Sequence, residues 1–146
     1  MELNRDIYAE LLRWKVNHKG KVLELKGARQ SGKTFILDKF GREQYTTYVY
    51  INMAQTTGRE FLTCLDQAEK WEPGQPRPVE PIHQAIKMFD VRFIDDESTL
   101  VVIDEIQESA RVYSLIRQFA RDFRCHVIVT GSYLGKTVEK EYFLPA

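Results

Sequence analysis

Hydrophobic positions switch between two periods along the chain, and the switches order its elements. Leu3, Ile7, Tyr8, Leu11, Leu12 and Val16 recur at helical spacing, with Asn4 placed to cap the start and Gly20 placed where the helix would end. Residues 22–25 form a short strand-like run and residues 35–40 a helix-like run ended near Gly41. Residues 45–53 are rich in β-branched and aromatic side chains, as a strand is. Phe61, Leu62, Leu65 and Ala68 share one side of a helix predicted over residues 58–70, after which Pro73, Gly74, Pro76, Pro78 and Pro81 predict an irregular surface connector. A helix carrying Ile82, Ala85, Ile86 and Phe89 leads through the acidic turn Asp95, Asp96, Glu97 into an uninterrupted aliphatic run. Next, Val112, Leu115, Ile116, Phe119 and Phe123 mark the buried stripe of a last helix, with Arg111, Arg117, Arg121 and Arg124 largely outside it as a solvated basic face. Residues 125–132 read as a fourth strand. Strands alternating with helices imply parallel βαβ units, right-handed crossovers and a three-layer α/β sandwich.

Two segments carry chemistry. Gly27, Ala28, Arg29, Gln30, Ser31, Gly32, Lys33 and Thr34 match the phosphate-binding P-loop pattern and sit between the first strand and the helix after it. Such a turn aims peptide N–H groups and a helix N-terminus at a polyphosphate. Gly27 and Gly32 allow the turn and the close approach. Lys33 is placed to bridge the β- and γ-phosphates, and the Thr34 hydroxyl to ligate Mg²⁺. The run 99–103 is apolar on both faces, as a central parallel strand must be, and it delivers Asp104 and Glu105 at its carboxyl end. That is a Walker B pattern, with Asp104 expected at the Mg²⁺ hydration shell and Glu105 expected to polarise or deprotonate the attacking water. Ligands of such sheets lie at the carboxyl ends of the strands, where Lys33, Asp104 and Ser132 are expected to converge and Thr130 or Ser132 to meet the γ-phosphate or lytic water. No guanine-reading Asn-Lys-X-Asp segment occurs. A nucleoside triphosphate with Mg²⁺ is therefore the expected ligand, with GTP the less expected one; the leading reading is ATP as ligand and substrate, hydrolysed to ADP and phosphate, against the alternative of a nucleotide-dependent switch with little turnover.

Composition narrows the field. The 146 residues suit one domain, 1–146, and 43% hydrophobic content can fill its core. Twenty-one basic residues balance 21 acidic ones, so no whole-molecule field draws the chain to nucleic acid or anionic membrane, and only a local nucleic-acid site is left open. Cys64 and Cys125 are too few for a disulfide framework or zinc site, and His18, His83 and His126 are scattered without ligand spacing. The start lacks an apolar signal core and no apolar run is long enough to cross a bilayer, so a cytoplasmic protein is expected.

With the P-loop, the Asp104-Glu105 pair and Thr130-Gly131-Ser132 in order, the chain resembles the AAA-type branch of P-loop ATPases, an ASCE/AAA-like core within the P-loop NTPases. More narrowly it is similar to a bacterial and archaeal group in which this domain precedes a C-terminal domain of uncharacterised role. The resemblance covers nearly the whole chain from about Leu3. It implies Lys33 and Thr34 on phosphate and Mg²⁺, Asp104 on Mg²⁺, Glu105 on water, and Ser132 as the polar sensor of the fourth strand. It also implies sheet order 5-1-4-3-2. The family continues into a fifth strand, so this chain is expected to be truncated at its C-terminal end. The strand at residues 22–25 then becomes an open edge prone to pairing with another copy, and no arginine follows Gly131 to complete a neighbour's site. Contacts with the C-terminal domain and self-association are the macromolecular contacts expected.

Overall fold

A computed structural model describes residues 2–17, 22–26, 32–70, 74, 80–131 and 142–143. The elements run α1 Glu2–Asn17, β1 Leu23–Lys26, α2 Lys33–Gln44, β2 Thr47–Asn52, α3 Thr56–Glu69, α4 Pro81–Phe89, β3 Thr99–Asp104, α5 Ala110–Gln118, β4 His126–Gly131 and β5 Tyr142–Phe143. Single 3-10 turns lie at Ile106–Glu108 and Ala120–Asp122. The sheet order is β2-β3-β4-β1-β5, and β1 to β4 are all parallel. These four strands stand in the order the family resemblance implies.

Both faces of the sheet are covered, which explains the unbroken hydrophobicity of β3. Leu100 and Val102 point into a core shared with Leu11 and Trp14 of α1 and with Ile36, Leu37 and Phe40 of α2. Val101 and Ile103 point into the opposite core with Phe61 and Leu65 of α3, Ile82 and Ile86 of α4, and Val112 and Ile116 of α5. Alternation along the strand thus assigns each residue to one of two helical layers, and the three-layer α/β sandwich follows.

Several local expectations are corrected. β1 is not an open edge over its first half, because Tyr142 and Phe143 pair antiparallel with Glu24 and Leu23. Helix α1 begins at Glu2, so Asn4 lies inside it rather than at its cap. Its buried stripe passes through Leu11 and Trp14, whereas Val16 is 77% exposed; at 3.6 residues per turn Val16 lies on the side opposite Ile7. Helix α2 continues through Gly41 to Gln44. Gly41 is there because the Tyr48 ring lies where a β-carbon would stand. Pro81 opens α4 at its first turn instead of interrupting structure, a position that needs no N–H donor. Helix α5 ends at Gln118, and Phe123 reaches the same core from beyond a separate 3-10 turn. Arg111 is not simply solvated, since it forms ion pairs with Asp66, at 2.8 Å, and Glu69, tying α5 to α3. Gly20 and the connector residues 71–73 and 75–79 fall outside the described residues.

The two described histidines serve packing. His126 is buried, shares a 2.7 Å hydrogen bond with the Tyr45 hydroxyl and meets Trp14 edge-on. His83 stacks on Phe123 with centroids 4.2 Å apart. His18 is not described. Cys125 is buried, and burial raises its thiol well above the ordinary range, so it is a poor nucleophile.

Candidate functional site

The site is assembled where β1, β3 and β4 end and α2 begins. Parallel register aligns Lys26 with Gly131 at one pair of strand ends, and Asn52 with Asp104 at another. Gly32, immediately before α2, has φ +75°, a left-handed conformation natural to glycine. The first two helical residues are Lys33 and Thr34. The Lys33 ammonium donates to the Lys26 carbonyl, 2.9 Å away, so it folds back over the end of β1. Thr34 donates its hydroxyl to Asp104 Oδ2 at 3.2 Å.

Asp104 is the hub. It is buried at the end of β3, and both of its oxygens are occupied. Oδ1 accepts the Glu105 N–H at 2.9 Å and a very short bond from the Thr130 hydroxyl, while Oδ2 accepts Thr34 and, at 2.6 Å, the Tyr50 hydroxyl. Residues from α2, β2, β3 and β4 therefore converge on one carboxylate. Burial first, then the hydrogen bond to Asp104 and after it the Asp104 charge, hold the Tyr50 phenol far above its ordinary range, keeping it a donor.

Glu105 follows in a left-handed conformation, φ +55°, the only non-glycine residue of positive φ among the described residues. Its half-exposed carboxylate accepts a 2.5 Å hydrogen bond from Gln107 Nε2. For a glutamate such backbone geometry costs about 1 kcal/mol, a strain typical of functional turns.

Of the residues expected from sequence, Thr34, Asp104 and Thr130 are brought into direct hydrogen-bonding contact, and Lys33 and Glu105 adjoin them in the chain. Gly27, Ala28, Arg29, Gln30, Ser31 and Ser132 lie outside the described residues. Thr130 turns toward Asp104 rather than outward. Tyr50, Asn52 and Gln107 were not expected. Tyr50 and Asn52 lie on an edge strand whose aromatic content signals only a strand, and nothing in the sequence pairs them with Asp104. Among the described residues no group of three His, Cys, Asp or Glu side chains is placed to hold a metal alone. A metal here would take one carboxylate, a hydroxyl and the ligand's own phosphates, as Mg²⁺ commonly does.

An α/β sheet with this parallel strand order, carrying a glycine-lysine-threonine helix start against an acidic strand end, defines a P-loop type nucleotide-binding domain. A protein-family model described as AAA domain matches residues 19–142. The chain belongs to that family of AAA-type ATPases, which gives it a nucleotide-binding, ATPase-type function. No curated protein matches it. No helix among the described residues is long and apolar enough to cross a membrane.

Proposed function

We propose that this domain binds Mg-ATP and hydrolyses it to ADP and phosphate. The observation that carries the reading is the Thr34 hydroxyl on Asp104 Oδ2, which joins the start of the P-loop helix to the acidic end of β3. The two residues suit a small, hard cation that keeps most of its water and takes further oxygens from phosphate. Residues 27–34 would hold the phosphates, with Lys33 supplying the point charge. Mg²⁺, when bound, neutralises charge developing on the phosphate oxygens. Asp104 orients what stands beside Thr34. Glu105, the acid next in the chain, is the group that accepts a proton from the attacking water, and Ser132, the residue after β4 in sequence, is the polar contact expected for the terminal phosphate.

A second reading, a nucleotide-dependent switch with little turnover, draws on the Gln107 hydrogen bond that already occupies a Glu105 oxygen. Paired variants separate the two. On the hydrolytic reading Glu105→Gln retains Mg-ATP binding but loses about 10²–10⁴ in turnover, whereas Asp104→Asn also raises the Mg²⁺ concentration needed for binding. Turnover unaffected by Glu105→Gln, with binding intact, would favour the switch. Identical behaviour of both variants in both assays would show the roles to be misassigned.

A further inference from the structure

Asp104 needs more than a metal to point its carboxylate. Oδ1 is fixed from two sides by groups in the sheet, the Glu105 N–H and the buried Thr130 hydroxyl. Oδ2 has two unequal donors: Thr34 at 3.2 Å and Tyr50 at 2.6 Å. A carboxylate offers about four acceptor sites, so this one is full. If Thr34 turns its oxygen to a cation, the longer bond is the one to be rearranged. The shorter, charge-assisted bond from Tyr50 then remains as the group fixing Oδ2.

Tyr50 is itself held. Its oxygen accepts from Asn52 Nδ2 at 3.2 Å, and Asn52 Oδ1 in turn accepts the Ala54 N–H at 2.9 Å. The chain of donors therefore runs from the backbone turn after β2, through Asn52 and Tyr50, to Asp104. Each bond polarises the next in the same direction. In register, Asn52 lies opposite Asp104 and Tyr50 opposite Val102, so the phenol reaches diagonally from β2 to the carboxylate two residues along the adjacent β3.

We propose that Tyr50 is a positioning residue for the metal-facing carboxylate, its hydroxyl setting the orientation of Asp104 and hence the affinity of the site for Mg²⁺. The inference rests on the Mg-ATP reading above. Outer partners of metal-site carboxylates are commonly worth about 10- to 100-fold in metal affinity.

The test is calorimetric titration of ATP over a series of Mg²⁺ concentrations and in EDTA, on the full chain, with denaturant melts alongside. For Tyr50→Phe, which keeps the ring and its packing, the Mg²⁺ requirement is expected to rise about tenfold, while metal-free ATP affinity stays within twofold. Tyr48→Phe is the control, because its hydroxyl binds Asp38 instead; its Mg²⁺ dependence should match the parent's. Asn52→Leu leaves Tyr50 in place but removes its donor, and should shift the requirement in the same direction by less. An unchanged or lowered Mg²⁺ requirement in a folded Tyr50→Phe overturns the proposal, as does an equal loss of metal-free and metal-dependent affinity. If Tyr50→Phe does not fold, Asn52→Leu decides by the same criterion. A parent that binds ATP identically with Mg²⁺ and with EDTA overturns the metal-site reading itself and this inference with it.

Discussion

At the scale of single residues, this sheet carries acids in two opposed environments. Asp104 receives four hydrogen bonds at its strand end. Glu24, in the middle of β1, is just as buried but poorly partnered. Oε1 accepts from the Tyr113 hydroxyl at 2.9 Å, Oε2 has no hydrogen bond, and the Arg117 guanidinium stands 3.8 Å away. Burial raises the Glu24 carboxyl above the ordinary range, against the Tyr113 bond and the Arg117 charge, which lower it. The sign for stability follows. A carboxyl whose pKa is higher in the folded than in the unfolded chain contributes stability below its unfolded value and loses it as pH rises through the folded one. Glu24→Gln removes that titration. Urea melts from about pH 4 upward should therefore show the variant gaining stability relative to the parent as pH rises. A difference that is flat with pH would mean that Tyr113 and Arg117 fully offset the burial.

At the scale of elements, what was legible depended on how many layers enclose a segment. β3 is covered on both faces, so its composition alone located it, and Asp104 and Glu105 with it. Gly32, Lys33 and Thr34 were legible as a turn running into α2, because a glycine suits the left-handed turn and helical spacing follows it. The buried stripe of amphipathic α1 is legible only in part: Ile7, Tyr8 and Leu11 pack on the core, whereas Leu12 and Val16 are apolar yet exposed and the buried Trp14 falls outside the expected set. The end of α5 was missed because Phe119 and Phe123 continue its spacing through a 3-10 turn that packs into the same core. Contacts between distant segments, such as Tyr50 with Asp104, have no sequence period at all. Glycine inside helices follows the same rule. Gly58 lies in the first turn of α3, and a β-carbon there would come 2.6 Å from the Asn52 carbonyl oxygen. Helix propensity alone predicts that Gly58→Ala gains about 1 kcal/mol. The clash is with backbone that cannot swing aside, and overpacking of this kind costs about 1–3 kcal/mol. The variant is expected to be net destabilised by chemical denaturation, and a gain in stability would show that α3 slides freely on the end of β2.

At the scale of the whole molecule, the candidate site joins parts that otherwise meet only through the sheet. Lys33 and Thr34 belong to α2, which packs in one core, whereas Glu105 leads into the 3-10 turn whose Ile106 packs in the other. A ligand held by both ends of this arrangement binds the folded chain and not the unfolded one, so it must raise the melting temperature by linkage. At a ligand concentration of 100 times Kd the gain is about 2.7 kcal/mol. For a chain near this length each kcal/mol shifts Tm by roughly 2–4 °C, so Mg-ATP should raise it by about 5–10 °C. On the proposed Mg-ATP reading, Lys33→Ala removes the point charge for the β- and γ-phosphates, and with it most of that shift, while the ligand-free Tm stays close to the parent's because the Lys26 carbonyl that the ammonium meets is exposed and can turn to water. Thermal melts of parent and variant, with and without Mg-ATP, measure both quantities together. A variant that melts as the parent does in the ligand's absence and is stabilised equally in its presence would show that Lys33 does not face the phosphates, and would overturn the P-loop reading of residues 27–34 in this chain.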